Sequence, residues 1–232
     1  GEVTSWNPDS NNTVNDIFPT ATNIYAGGLF TSIGGANRNR LAAIDTTTGV
    51  ASSLDPNVNN TINDIRLDNN TLYFGGLFTN VGGQERNRIA AIDIVSGNTT
   101  SWAPDLGNYV NSLDVSTSSV YGGGLITTIG GTARNRLAAI NDNGTLSNWN
   151  PDVNGSVREI INSSGNIYIG GLFTTVGALA RNFIAAIDIN TGIATTWNPN
   201  ANTNVLTLLA DSGNIYAGGT FTTIGGQTRN RI

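Results

Sequence analysis

The sequence predicts an all-β chain built from one four-stranded module used about five times, and three observations carry that prediction. A segment of the form Tyr-x-Gly-Gly-x-Phe-Thr, or a close variant, recurs with its first glycine at Gly27, Gly75, Gly123, Gly170 and Gly218, at spacings of 48, 48, 47 and 48 residues. No window of about eleven residues shows a helical period. Short apolar runs alternate throughout with clusters of Gly, Asn, Asp, Ser and Pro, the punctuation of strands and turns.

Each element of the module follows from its own residues. The first strand is Val14 to Ile17, with equivalents Ile62 to Ile65, Val110 to Leu113, Val157 to Ile160 and Val205 to Leu208. The second carries the double glycine, where a missing side chain lets another backbone approach or allows a bulge. A second glycine step follows at Gly34-Gly35, Gly82-Gly83, Gly130-Gly131 and Gly225-Gly226, with Gly177-Ala178 as the departure. Arg-Asn then recurs at 38–39, 86–87, 134–135, 181–182 and 229–230. The third strand, Leu41 to Asp45 and its equivalents, is apolar at consecutive positions, as expected for a strand covered on both faces. The fourth holds Ser5-Trp6, Ser53-Leu54, Ser101-Trp102, Asn148-Trp149 and Thr196-Trp197, and a proline two residues later ends it.

A unit of about 48 residues cannot bury its faces alone, so neighbouring units stack, and radial closure is the common all-β solution. The expected fold is a β-propeller forming a single domain of five four-stranded blades: 13–54, 61–102, 109–149, 156–197, and 204–232 completed by the N-terminal strand within 1–6. Ile232 aligns with Leu41 and Gly1 with Gly49, so the third strand of the last blade is expected to be short or missing, with the parent polypeptide running on or a partner strand filling the gap. Mixing the termini in one blade would remove two open sheet edges.

The run Ile24-Tyr25-Ala26-Gly27-Gly28-Leu29-Phe30-Thr31, followed by Gly-Gly, Arg-Asn-Arg and Leu-Ala-Ala-Ile-Asp, resembles the delta-sixty type repeat propellers of secreted bacterial proteins, which share the double glycine of kelch blades. The resemblance covers the whole chain. It implies an exported or cell-surface location and a module of a larger protein, and it implies no particular reaction.

Composition removes most site chemistry. The chain has no cysteine, histidine, methionine or lysine, so thiol nucleophiles, histidine-containing triads, zinc or haem sites and Schiff-base lysines are excluded. A net charge of -5, with all 11 cationic side chains arginine and no basic run, disfavours nucleic acid. No apolar stretch approaches the roughly 18 residues of a spanning helix, so no membrane insertion is expected.

Four sets of residues remain as candidates. Arg38, Arg86, Arg134, Arg181 and Arg229 lie in the loops before the third strands, and Asp9, Asp105 and Asp152 lie in the loops entering the first strands. In propeller topology these loops share a face, so they form either a ring for an anionic or sugar ligand or a set of structural ties to carboxylates and carbonyls between blades. Asp16, Asp64 and Glu159 share one first-strand position near the propeller axis, with Ser112 and Thr207 in the other two places. They suit an acid pair of glycosidase type or a solvated or calcium-holding cluster. Trp6, Trp102, Trp149 and Trp197, with Leu54 in the fifth place, are either sugar-stacking platforms or apolar plugs. Asn141-Asp142-Asn143-Gly144 and Asp68-Asn69-Asn70 resemble fragments of cation loops but read as turns. The functional expectation is a non-catalytic scaffold for adhesion or for protein or glycan contact, extracellular or on the cell surface, requiring no cofactor, with calcium the one metal its acids would suit. The alternative is a glycan-active hydrolase using the axial acids.

Overall fold

The computed structural model describes residues 4–232 and contains strands, bridges and turns but no helix. Among the described residues there is accordingly no helix long and apolar enough to cross a membrane. Glu2 and Val3 of the expected N-terminal strand lie outside the described residues. The chain forms two compact units, Gly1–Asp105 with two repeats and Leu106–Ile232 with three.

In the first repeat β1 (Val14–Pro19) pairs antiparallel with β2 (Asn23–Gly28). The short hairpin of β3 (Ser32–Ile33) and β4 (Ala36–Asn37) follows, and β5 (Leu41–Asp45) pairs with the other edge of β2. The second repeat repeats this order with β6 (Ile62–Asp68), β7 (Thr71–Gly76), β8 (Asn80–Val81), β9 (Gln84–Glu85) and β10 (Ile89–Asp93). In the second unit the third repeat has β11 (Val110–Val115), β12 (Ser119–Gly124), β13 (Thr128–Ile129), β14 (Thr132–Ala133) and β15 (Leu137–Asn141). The fourth has β16 (Ser156–Ser163), β17 (Asn166–Leu172), β18 (Thr175–Val176), β19 (Leu179–Ala180) and β20 (Ile184–Asp188). The last has β21 (Val205–Asp211), β22 (Asn214–Gly219), β23 (Thr223–Ile224) and β24 (Gln227–Thr228), so its main sheet has two strands.

The double glycine has two separate tasks. In the first, third and fourth pairs the first glycine faces the following repeat: a Cβ on Gly27 would lie 2.6 Å from Ile62 Cγ2, one on Gly123 2.7 Å from Val157 Cγ1, and one on Gly170 2.8 Å from Val205 Cγ1. The second faces its own first strand, and a Cβ on Gly28, Gly76, Gly124, Gly171 or Gly219 would collide with a carbonyl oxygen there. Opposite each pair the first strand carries a bulge, marked by a register shift between Val14 and Asp16 and at the four equivalent places. Close approach and bulge therefore occur together. The result is a continuous apolar layer between repeats, in which Tyr25 and Leu41 share a buried cluster with Ile62, Ile65, Phe74 and Ala90.

Two features differ from the sequence expectation. The expected fourth strand is a short edge segment joined to the third by one bridge, at Ile44–Ala51, Ile92–Thr99, Ile140–Leu146 and Ile187–Ala194, so the blades are three-stranded sheets with a tethered rim rather than four-stranded. The cause is local: the hydroxyl or hydroxyl oxygen of Ser52, Thr100, Ser147 and Thr195 accepts the amide of the residue two positions on (Leu54, Trp102, Trp149, Trp197), which turns the chain out of the ladder before the proline. The second feature is the hairpin at the glycine step, where Gly34 and Gly35 have φ of 60° and 75°, values that suit glycine and favour a tight primed turn.

Ala90 is fully buried in the middle of a third strand. Placing a carboxylate there by Ala90→Asp strands a charge between repeats, and the expected cost is about 4 kcal/mol or more. A cooperative thermal transition near the wild-type temperature in Ala90→Asp would contradict burial on both faces of this sheet.

Candidate functional site

The arginine loops are built by the turn that precedes each third strand. In Arg-Asn-Arg the second arginine adopts a left-handed backbone, at φ of 68° for Arg40, 70° for Arg88 and 67° for Arg136, with Phe183 in the same conformation in the fourth repeat. This turn points the first arginine back across its own repeat. Arg134 donates to the carbonyls of Ala133 at 2.9 Å and Ser147 at 3.1 Å, and Arg86 to those of Glu85 and Thr100, both at 2.8 Å. Arg181 binds Ala180 and Thr195 at 2.7 and 2.5 Å, Arg38 binds Asn37 and Ser52, and Arg229 donates to Thr228 at 2.8 Å. The fork thus ties the short hairpin to the rim segment of the same repeat. The sequence suggested ties to carboxylates and loop carbonyls between blades; the observed partners are carbonyls, but of the same repeat, because the fork reaches the strand ends beside it.

The aspartates at the loop entry carry a left-handed backbone too, φ 47° at Asp9, 52° at Asp105 and 53° at Asp152, with Asn57 and Asn200 alike. Short Asx side chains tolerate this region better than other residues. The asparagine of each Arg-Asn step bonds to this position: Asn87 to Asp105 at 2.9 Å, Asn135 to Asp152 at 2.7 Å, Asn39 to Asn57 at 2.9 Å and Asn182 to Asn200 at 2.7 Å. The two loops do lie together, as the topology argument required, but asparagine and not arginine makes the contact.

The first-strand acids stitch successive repeats. Asp16 accepts the amide of Ile65 at 2.9 Å and the guanidinium of Arg66 at 3.2 Å, and Arg66 also pairs with Asp64. Ser112 does the equivalent in the second unit, accepting the Ile160 amide at 3.1 Å and donating to Glu159 at 3.2 Å. Beside them the bulged asparagines Asn15 and Asn111 donate to the carbonyls of Ile62 and Val157, both at 2.7 Å. Among the described residues no group of three or more acids is placed to hold a metal ion.

The tryptophans sit edge-on to the second-strand tyrosines, with ring centroids 5.2 Å apart in Tyr73–Trp102, Tyr121–Trp149 and Tyr168–Trp197. Trp102 and Trp149 are buried, and the Trp149 indole donates to the Asp188 carbonyl of the following repeat at 3.1 Å. Trp149 thereby plugs the boundary between its own repeat and the next. Trp6 makes the same indole bond to the Asp45 carbonyl at 3.1 Å.

These rim plugs floor two clefts that the sequence did not point out. One of about 590 Å³ in the second unit lies over Tyr121 and Trp149 and is walled by Ser118, Asn148, Asn190 and Thr191. The corresponding cleft in the first unit, about 440 Å³, lies over Tyr25 and Leu54 beside Asn23, Ser53, Asp55 and Asn98. Burial pushes the Tyr121 phenol above its ordinary value of 10.0, so the larger cleft is floored by neutral aromatics. Its residues come from four separate stretches of sequence, and their forward sign was the hydroxyl and amide richness of the turns.

Those turns are held by carboxylates. Asp45 Oδ1 accepts the amides of Thr48 and Thr47 at 2.7 and 2.9 Å and the Thr48 hydroxyl at 2.9 Å. Asp93 does the same with Ser96 and Val95, and Asp188 with Thr191 and Asn190. In the third repeat Asn141 bonds to Thr145 through its amide, and Asn143 accepts the Thr145 amide and hydroxyl, so Asn141-Asp142-Asn143-Gly144 is a turn of the same kind. A further recurrent clamp passed unnoticed in the sequence. Asn11, Asn59, Asn154 and Asn202 each accept the two amides of the Thr31-Ser32 step or its equivalent at 2.9 to 3.1 Å. The 48-residue spacing of these asparagines was the available signal.

A family model described as "Domain of unknown function (DUF5122) beta-propeller" matches residues 211–232. No curated protein matches the chain. Among solved structures, the computationally designed Ika8 protein aligns at a TM-score of 0.59 and 12% identity, over 96% of this chain and 75% of that one. BamB from Moraxella catarrhalis aligns at 0.57 and 15% identity, over 90% and 55%, and a chain of the Mitotic Checkpoint Complex at 0.56 and 15%, over 84% and 56%. The chain therefore spans little more than half the length of the latter two. At these identities the likeness is one of fold, and together with the family match it supports a β-propeller repeat protein.

Two outcomes follow from the site's geometry. Arg134→Lys keeps the charge but loses the two-pronged reach to Ala133 and Ser147, and should cost about 1–3 kcal/mol in urea unfolding. The amide of Thr48 and its counterparts at Ser96 and Thr191 hold Asp45, Asp93 and Asp188 below the ordinary carboxylate value of 3.8. A lowered folded-state value means that this stabilisation is fully present above pH 3.8 and is lost as pH falls through the lowered values. Asp93→Asn, which retains the acceptor oxygen, should therefore show a shallower loss of melting temperature below that pH than wild type.

Proposed function

We propose that the chain is a non-catalytic propeller module of an exported or cell-surface protein of the delta-sixty repeat type, serving adhesion through contact with a glycan or protein. The observation that carries this reading is the use of the charged candidates as internal ties. Asp16 and Asp64 share Arg66, Glu159 meets Ser112, and the loop arginines bind strand carbonyls, so the chemistry-bearing side chains hold repeats together. A glycosidase needs two carboxyls facing a common substrate, one to donate a proton and one to attack or to activate water. The axial acids are instead engaged with a guanidinium, a backbone amide and a hydroxyl.

What supports ligand contact is the pair of rim clefts. Hydroxyl and amide walls over an aromatic floor suit a neutral, hydroxyl-rich ligand, and recurrence at the repeat boundaries suits multivalent attachment of low intrinsic affinity.

Wild-type protein on a glycan array should show binding without turnover, retained in Asp64→Asn and lost in Asn148→Trp, which fills the larger cleft. Turnover of a bound glycan that disappears in Asp64→Asn would instead establish the hydrolase alternative. Binding unaffected by Asn148→Trp would remove the cleft from the function.

A further inference from the structure

The boundary between the first and second repeats breaks the pattern of the rim at two adjacent positions. The other rim segments carry a tryptophan, one uncharged residue and a proline: Trp6-Asn7-Pro8, Trp102-Ala103-Pro104, Trp149-Asn150-Pro151 and Trp197-Asn198-Pro199. Here the run is Leu54-Asp55-Pro56, so the plug has lost its ring and the next residue has gained a carboxylate. The whole boundary lies within the first compact unit.

Both changes bear on the cleft of about 440 Å³ over Tyr25. At the equivalent boundary of the second unit, Trp149 meets the Tyr121 ring edge-on and its indole donates to the Asp188 carbonyl. Leu54 supplies neither the ring nor the N–H, so the corresponding Asp93 carbonyl receives no indole. What the cleft has gained is Asp55, the one charged residue in its lining, whereas no charged residue lines the larger cleft. Asp55 is exposed, and among the described residues its carboxylate has no hydrogen-bond or ion-pair partner. It thus differs from Asp16, Asp64 and Glu159, which are engaged as ties.

The surroundings favour a donor-rich, hydroxylated ligand at this carboxylate. The Ser53 hydroxyl and the Asn98 carboxamide, also in the lining, make no hydrogen bond within the described residues. The turn that presents Asn98 is fixed beforehand, because Asp93 Oδ1 holds the amides of Val95 and Ser96 at 3.1 and 2.7 Å and the Asp93 amide donates to the Asn98 carbonyl at 2.9 Å. Burial pushes the Tyr25 phenol above its ordinary value of 10.0, so the floor adds no second negative charge. An ammonium group offers several N–H donors and the complementary charge.

We propose that the smaller cleft binds the free amine of an amino sugar, with Asp55 accepting from the ammonium and Ser53 and Asn98 bonding to neighbouring ring hydroxyls. The assignment rests on the glycan reading and divides it: one cleft for a cationic sugar, the other for an uncharged one.

Titration calorimetry with a tetramer of glucosamine and with its fully N-acetylated counterpart tests the division. Wild type and Asn148→Trp should both bind the glucosamine tetramer, more weakly as salt rises. Asp55→Asn restores the residue found at Asn7, Asn150 and Asn198, and should weaken that binding about three- to tenfold while leaving the acetylated tetramer unaffected. Its exposed position keeps the fold intact, which a circular dichroism melt verifies. Equal affinity of Asp55→Asn and wild type for the glucosamine tetramer overturns the proposal, and so does tetralysine binding as tightly, since charge alone would then suffice. In either case retention of the acetylated tetramer leaves the glycan reading standing; silence of both tetramers removes that reading and this one together.

Discussion

The structure depends on how closely two strands can approach the middle of a third. The second strand of each of the first four repeats is paired on both edges, and at its double glycine the bulged first strand and, at Gly27, Gly123 and Gly170, the next repeat's isoleucine or valine occupy space that side chains would otherwise fill. A methyl group at either glycine meets atoms that cannot withdraw: a carbonyl oxygen of a paired strand, or the branched end of a fully buried side chain. From this one constraint follow the bulge, the stacking of repeats and the small alanines of the third strand, which lie within the same buried clusters.

Polar groups in such a stack must find partners near at hand, and the chain supplies them periodically. Near the first strands, Asp16 or Ser112 takes a neighbour's amide while Asn15 or Asn111 gives to its carbonyl. At the loop face, asparagines and arginines close the turns, and at the rim Asp45, Asp93 and Asp188 hold three amide-rich corners. This explains why residues with catalytic potential in isolation make an architecture here.

The third strand was legible to the residue: Leu41 to Asp45 was expected and Leu41–Asp45 is observed, because a run covered on both faces has only one way to be buried. The rim segment was misjudged. Ser53-Leu54 and Ser101-Trp102 carry strand-compatible residues, but the hydroxyls of Ser52 and Thr100 compete locally for the amides a ladder would need. Asp105 and Asp152 were rightly placed beside the Arg-Asn loops, while their partner proved to be the asparagine, a choice made by backbone handedness that the letters do not display.

The sequence by itself determined the repeat, its length, the strand class and the chemistry that is impossible, since periodic glycines and missing residue types need no coordinates to be read. Only the tertiary structure decided which polar atoms meet. Asp16 and Arg66 are 50 positions apart, Trp149 and Asp188 are 39 apart, and Asn87 and Asp105 are 18 apart. A periodic sequence offers each of these groups several equivalent partners in neighbouring repeats, and the choice among them is made by side-chain reach and strand register, which exist only once the repeats have stacked.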